Sequence, residues 1–371
     1  MDMNVKTLYS ENPESDIWRE LEQFTYEENI KKYFAKRNVE PDSELINSIT
    51  GSFLQAHEYF KSANVANLHI SPLLLYYGST NLLYGMTNLL SGEKCIVETH
   101  GMRIDPEDSE CIADTKLWFN NAEKGGVHVF ARALDMNKDL CKYGEWNLKE
   151  LFGAIAEIAG DFESCYGDSS KIVFLDVFNT PEGKIEKVYY SSESEKKRVN
   201  DTLNQVDGFD DSYLNRTEGR SLADNRSYFI LRHKINGKDI SEMSFSGQPY
   251  LRSDYTKNGK GISLSTELNM YISLFVLASL CRYHPEKWGS FVLKDGSGEK
   301  LLIEKFIYYA KRMIPNIVLN NLMNTRLTYI PEKYKSTDTI KPIGEHQIKD
   351  IVGGEIKKQL TSEDIIKSIR K

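Results

Sequence analysis

Ser71-Pro72-Leu-Leu-Leu-Tyr76-Tyr77-Gly78-Ser-Thr-Asn81-Leu-Leu-Tyr-Gly-Met-Thr-Asn-Leu-Leu-Ser91-Gly92 contains no charged residue, and its apolar side chains fall on nearly every side of a 3.6-residue spiral. Ser71 is a preferred N-cap residue, and Pro72 fits the first helical position, where a missing N–H costs nothing. Ser91-Gly92 supplies a stop. A helix that is apolar all round has no face to offer water, so it is expected at the centre of a bundle.

The flanks supply the partners. Trp18, Leu21 and Phe24 recur at helical spacing within residues 16–36, which reads as an amphipathic helix or helix pair. Asp42 or Ser43 can cap a further helix running to about Ala63, with Leu45, Ile46, Ile49, Phe53, Leu54 and Phe60 on one stripe. Downstream, Thr266–Arg282 reads as a helix stopped by Pro285, and Lys300–Arg312 with Pro315–Met323 as a helix pair broken at Pro315. Between the flanks the texture changes. Ile96–Ile104, Val127–Leu134, Lys171–Phe178, Lys184–Tyr190, Ser227–Ile235 and Ile240–Ser246 are β-rich runs separated by Gly, Asn and Asp. A short helix opens at Asn147 and closes at Gly160, residues 191–225 read as a long surface loop, and Asn236-Gly237 signals a hairpin.

The expected fold class is therefore α+β, mainly a helical bundle core with an inserted strand-rich subdomain. Residues 1–92 and 263–328 are assigned to the bundle, 93–262 to the insertion, and 329–371 to a polar tail with a short C-terminal helix. A chain of 371 residues with 40% apolar and 27% charged residues can bury a sizeable core. Its net charge of −7 argues against a chain built mainly to coat nucleic acid, while leaving room for a local basic patch. Five dispersed cysteines without CxxC spacing read as reduced thiols. The polar, acidic N-terminus is unlike a signal peptide, and the longest apolar run, Ile272–Cys281, is too short to span a bilayer. A cytoplasmic location without membrane contact is the expectation.

Several fragments, taken in order, carry a family likeness. They are the Ser71-Pro-x-x-x-Tyr76-Tyr77-Gly78 helix, His100-Gly101, Gly126-Val-His-Val-Phe130, Trp146-Asn-Leu-Lys-Glu-Leu151, Arg282-Tyr283-His-Pro285-Glu-Lys-Trp288, and Ile314-Pro315-Asn-Ile-Val-Leu319-Asn320. Together, over roughly residues 15–325, they resemble the YaaC-like family. That resemblance implies a bacterial cytoplasmic protein and brings no particular activity with it. The Tyr-Tyr helix also looks like HEPN-type helical bundles, some of which are RNases serving phage defence or stress responses and many of which only bind partners.

Catalytic candidates are Arg226, His233, Arg282 and His284. An RNase of the HEPN type needs an Arg to hold phosphate and a His to act as general base. Arg226 and His233 have a loosely suitable spacing, but the residues between them alternate as a strand, which sends side chains seven apart to opposite faces. Ligand-binding candidates are Tyr77, Asn81, Arg282 and Trp288. Arg282 and Trp288 can grip an anion or a flat ring, or can simply complement a helix end and fold back on the core. Tyr77 and Asn81 share a helix face and either line a pocket or hydrogen-bond within the core. His69, His100 and His128 lack metal-ligand spacing, and no HExxH, GxxxxGK[ST], GxGxxG or GxSxG occurs, so neither a metal nor a cofactor is implied. Lys257–Ser265, with Gly259 and Gly261, reads as a linker that could alternatively offer amides to phosphate. The cluster Lys31-Lys32-Tyr33-Phe34-Ala-Lys36-Arg37 reads as a solvated helix end. The leading expectation is a non-catalytic binding or scaffolding protein with a protein partner or a homo-oligomeric state. The alternatives are a metal-independent RNase acting on RNA, or a nucleotide or small-molecule sensor.

Overall fold

The structure is a computed structural model, and it describes residues 4–106, 111–120, 123–134, 139–180, 183–220, 226–234, 237, 239–253 and 264–330. Its helices are α1 (Pro13–Glu22), α2 (Glu27–Ala35), α3 (Ser43–Val65), α4 (Ser71–Ser91), α5 (Gly126–Ala133), α6 (Leu148–Phe152), α7 (Ala159–Tyr166), α8 (Glu193–Leu203), α9 (Phe209–Ser212), α10 (Thr266–Tyr283), α11 (Pro285–Lys294) and α12 (Glu299–Met323). Its strands are β1 (Asn4–Tyr9), β2 (Met102–Asp105), β3 (Lys116–Phe119), β4 (Trp146–Asn147), β5 (Ile172–Phe174), β6 (Asp176–Thr180), β7 (Gly183–Tyr190), β8 (Tyr213–Arg220), β9 (Ser227–His233), β10 (Glu242–Met243), β11 (Pro249–Arg252) and β12 (Thr325–Ile330). The fold is α+β. Residues 4–6 and 14–327 form one compact unit, and residues 7–13 with 328–330 form a second.

The uncharged helix is central, as its composition requires. α4 packs against α3, α5, α10 and α12. Gly92 ends it in the left-handed conformation (φ +76°) and donates its N–H to the Asn88 carbonyl at 3.0 Å. Its N-cap is Ile70 and not Ser71, so Ser71 and Pro72 both lie inside the first turn. Arg37, from the basic cluster, donates to the Leu89 and Leu90 carbonyls at 2.7 Å each, which satisfies two of the acceptors left at the end of α4.

Asp42 caps α3 through a 2.7 Å bond from the Leu45 N–H. α3 buries Leu45, Ile46, Ile49, Phe53 and Phe60, while Leu54 is 52% exposed, so the apolar stripe is narrower than expected. Where α3 meets α4, Phe60 lies on Gly78 and Phe53 on Gly85. A Cβ built on Gly78 would stand 2.7 Å from the Phe60 ring, and one on Gly85 would stand 2.8 Å from the Phe53 ring. Both are well inside the carbon–carbon optimum of about 3.5–4.0 Å.

The C-terminal helices correct two expectations. α12 runs unbroken through Pro315, because Met313, Ile314, Pro315, Asn316, Val318 and Leu319 are all buried and their packing outweighs a proline cost of about 3 kcal/mol. Pro285 opens α11 besides ending α10, and α11 buries Trp288.

The middle segment, residues 93–262, holds β2–β11 and also α5–α9 among the described residues. Val127–Leu134 is helical where a strand was expected. Its buried Val127, Phe130 and Ala131 sit at helical spacing against α4 and α10, and tertiary packing overrides the β-branched valines. The helix from Asn147 is short, held by a reciprocal cap between Asn147 and Glu150, and Gly160 lies inside the separate α7. Within the expected surface loop 191–225, residues 193–203 and 209–220 form regular elements instead. Ser192 caps α8, which buries Val199, Thr202 and Leu203 at helical spacing, and α9 and β8 follow, while residues 221–225 lie outside the described residues. Those few apolar positions were hidden by the polar composition around them.

Three sheets are antiparallel, ordered β2-β3-β4, β10-β11-β5 and β6-β7-β9-β8. A two-stranded sheet pairs β1 with β12. The strands flanking Asn236-Gly237 do not pair with each other, since β9 lies between β7 and β8 whereas β10 pairs with β11. Asn236 lies outside the described residues. A Cβ on Gly237 would stand 2.4 Å from the Ser212 carbonyl oxygen, so glycine serves close backbone approach there. One face of the four-stranded sheet buries Val188, Tyr190, Phe229 and Leu231 with Val199, Leu203, Val206 and Phe209. The tail 331–371 and the stretch 254–263 lie outside the described residues.

The glycine contacts make opposite forecasts on two helices. Gly51 in α3 has open space around a built Cβ, so Gly51→Ala is expected to stabilise by about 0.5–1 kcal/mol through helix entropy. Gly78→Ala is expected to destabilise by about 1–3 kcal/mol through overpacking, despite the same gain in propensity. Urea unfolding of the two variants measures both signs.

Candidate functional site

α4 is buried on all sides except along one stripe. Tyr77, Thr80, Asn81 and Tyr84, spaced three and four apart, are only partly buried, and they are polar. Adjacent to this stripe, Tyr76 points inward and is 2% exposed. Its hydroxyl lies 2.7 Å from His100 Nδ1 and 3.1 Å from the hydroxyl of Tyr271 on α10. Tyr76 also stacks on Tyr271 and meets Phe275 edge-on.

Burial holds the Tyr76 phenol far above its ordinary pKa, with the neighbouring Tyr271 adding to the effect, and burial raises Tyr271 as well. Both phenols are thus neutral donors. One proton order that satisfies all three groups runs from Tyr271 to Tyr76 to His100 Nδ1, which leaves the imidazole proton on Nε2. His100 itself is pushed below its usual pKa, first by burial and then by the positive charge of Arg282. It is a neutral imidazole at neutral pH.

The backbone around His100 is pinned. Gly126 N–H donates to the Thr99 carbonyl at 2.8 Å, Val127 N–H to the His100 carbonyl at 3.2 Å, and Asn120 N–H to the Gly101 carbonyl at 2.9 Å. Gly101 adopts φ +74° and bends the chain directly after His100.

Arg282 closes the last turn of α10, where a cation suits the helix dipole. Its guanidinium is exposed, donates through Nη1 to the Tyr77 hydroxyl, and lies over the Tyr283 ring at 5.0 Å. The Tyr77 ring stacks on Tyr59 of α3. The result is a half-buried neutral imidazole and an exposed cation, both anchored on neighbouring tyrosines. Such a pair can bind an anion through the guanidinium and accept or donate a proton at the imidazole.

The structure thus joins Tyr77 and Arg282 from the sequence-derived candidates. Asn81 donates to the Tyr77 backbone carbonyl at 3.0 Å and so remains on the stripe. Trp288 is buried, with its indole N–H donating to the His69 carbonyl at 3.2 Å. The His284 N–H bonds the Leu280 carbonyl and its carbonyl accepts from Trp288 N–H, which makes it the joint between α10 and α11. Arg226 and His233 bracket β9, about 23 Å apart at the usual rise of a strand. Arg226 stacks over Tyr189 at 4.3 Å, while His233 turns inward beside Tyr213 and the fully buried Glu186. They do not share one site. Tyr76, Tyr271 and the pairing role of His100 were missed, because no sequence spacing links residues brought together by tertiary packing.

His128 Nε2 lies 2.7 Å from the Asn120 carbonyl, and the His69 N–H is bound to Asn67. Among the described residues no group of three or more His, Cys, Asp or Glu side chains is placed to hold a metal ion. Among them, too, no helix is long and apolar enough to cross a membrane. All five cysteines are described and none forms a disulfide.

These features define an α+β protein in which a buried phenol pair supports an imidazole beside an exposed guanidinium. The family model described as YaaC-like protein matches residues 19–322, and the chain belongs to that family. No curated protein matches it, and no solved structure does.

The lowered His100 pKa makes two forecasts. Stability contributed by the neutral ring is present above the unfolded value near 6.5 and is lost as pH falls through and below it. In imidazole NMR titrations, Arg282→Ala is expected to move the His100 midpoint upward but leave it below the free value, since burial remains. Tyr76→Phe leaves the buried Tyr271 and the half-buried His100 each short of a bond and is expected to cost about 1–3 kcal/mol in urea unfolding.

Proposed function

We propose that this chain is a non-catalytic binding protein whose ligand carries a phosphate group, held at the Tyr77–His100–Arg282 cluster. The observation behind this reading is the exposed Arg282 guanidinium oriented by the Tyr77 hydroxyl, next to an imidazole kept neutral by burial and by that same cation. An anion at Arg282 cancels the charge that depresses His100. Binding therefore moves the His100 midpoint upward, while burial, the larger cause, still holds it below the free value. A nucleotide suits the site further, because Tyr77, Tyr59 and Tyr283 offer aromatic surface beside the charge.

A second reading, RNA cleavage with His100 as general base and Arg282 on the phosphate, has the neutral imidazole in its favour. It does not use Arg226 or His233.

Thermal shift with inorganic phosphate and a panel of mononucleotides tests the first reading. A binder present at one hundred times its Kd adds about 2.7 kcal/mol of stability and raises Tm. Arg282→Ala is expected to weaken that binder by about 1.5–3 kcal/mol, the range for a hydrogen bond to a charged group. No shift with any member at millimolar concentration, or equal shifts in wild type and Arg282→Ala, would sink the proposal. RNA turnover abolished by His100→Gln would replace it with the second reading.

A further inference from the structure

The outward face of the four-stranded sheet carries a separate surface. The register of β6, β7 and β9 places Phe178, Lys187, Tyr189, Tyr228 and Arg232 on the side opposite the buried Val188, Phe229 and Leu231, with Arg226 just before β9. Phe178 is 42% exposed, Arg226 and Arg232 are exposed, and the two tyrosines are partly so. Lys187 Nζ stands 4.7 Å from the Phe178 centroid and 4.6 Å from that of Tyr228. The Arg226 guanidinium lies 4.3 Å from the Tyr189 centroid, and Tyr189 meets Tyr228 edge-on at 5.5 Å.

Tyr228 is also laid down on the sheet. A Cβ built on Gly219, its partner across β8, would come within 2.4 Å of the ring, so the missing side chain is what lets the tyrosine lie flat. Among the described residues, Asp176, opposite Lys187, is outnumbered by the three cations on or beside this face, in a chain whose overall charge is −7. Half-exposed aromatic rings set among cations on one sheet face match a ligand that is flat and aromatic at its bases and negative along its backbone.

We infer that this face binds single-stranded nucleic acid, with bases stacking on Phe178, Tyr189 and Tyr228 and phosphates paired with Lys187, Arg226 and Arg232. A duplex keeps its bases stacked on one another and has none to offer, and an acidic polypeptide would use the cations but leave the rings in water. This surface is independent of the Arg282 cluster, so either can fail without the other.

Fluorescence anisotropy of the full chain with labelled oligouridylate and oligothymidylate of about twelve nucleotides, a duplex and polyglutamate is the test. Single strands are expected to bind, with log K falling against log salt at a slope of about −2 for three phosphate contacts. Phe178→Ala is expected to weaken binding by about 5-fold or more, and Arg226→Gln to flatten the slope by about 0.7. Circular dichroism establishes that each variant is folded, and Lys187→Gln stands in for Phe178→Ala should the latter unfold. Preference for RNA assigns a contact to the ribose hydroxyl, and equal binding of both strands assigns recognition to stacking and charge; each supports the inference. No binding at about 50 mM salt, equal capture of polyglutamate, or unchanged affinity in folded variants overturns it.

Discussion

Two phenylalanine rings seated on two glycines set the geometry of the bundle. Phe53 and Phe60 are seven residues apart on α3, Gly85 and Gly78 are seven apart on α4, and the pairs meet in opposite order, as neighbouring helices joined by a short turn must. A side chain at either glycine would push the helices apart. Close approach on that side fixes the rotation of α4 about its own axis, which decides where each remaining residue points. Tyr76 is thereby aimed at α10, and the Tyr77–Asn81–Tyr84 stripe is left at the edge of the bundle.

Inside, polar groups are placed to complete the packing. Asn88, with no exposure, accepts from the Cys95 N–H at 2.8 Å and donates to Ser48 at 3.1 Å. Glu299, 1% exposed, accepts from the Ile112 and Ala113 N–H groups at 2.8 and 2.7 Å and from the Tyr166 hydroxyl at 2.8 Å, which ties the start of α12 to a turn nearly two hundred residues earlier. Burial, with Glu299 alongside, pushes the Cys111 thiol up to about 12, so that cysteine is a poor nucleophile. Glu186 repeats the pattern inside the sheet. It accepts from Tyr213 at 2.5 Å, and Lys184 and His233 stand at ion-pair distances of 2.8 and 3.1 Å without full hydrogen-bond alignment. Burial opposes the charge on Lys184, but its bonds to Asp239 and Glu186 prevail and hold its pKa up. A buried carboxylate with several donors is a tether whose removal strands its partners.

How much of this was legible follows from the range of the signal. The central helix could be read directly, because an uncharged run with a glycine stop carries its own instructions. Strand period correctly separated Arg226 from His233. Elements whose stability comes from contact were misread. Pro315 is carried through α12 by neighbours, α5 is a helix in spite of its valines, and α8 was hidden behind charge because three buried residues suffice to dock it. The phenol pair beneath His100 was invisible for the same reason. Tyr76 and Tyr271 are 195 positions apart, and only the packing of α4 on α10 brings their hydroxyls together.

The doubled tyrosine at the heart of the site has a geometric logic. Successive residues on a helix are about 100° apart around its axis, so two adjacent tyrosines cannot face the same neighbour. Tyr76 turns into the bundle and joins Tyr271 beneath the imidazole, whereas Tyr77 turns outward and holds the guanidinium. The imidazole and the guanidinium thus hang from consecutive residues of one buried helix. Their separation is set by backbone, which changes less than side chains do. His100 and Arg282 are near enough for the charge of one to depress the basicity of the other, and they remain so only while Gly78 and Gly85 keep α4 pressed against α3. The packing of the bundle and the charge coupling at its edge are consequences of one helix orientation.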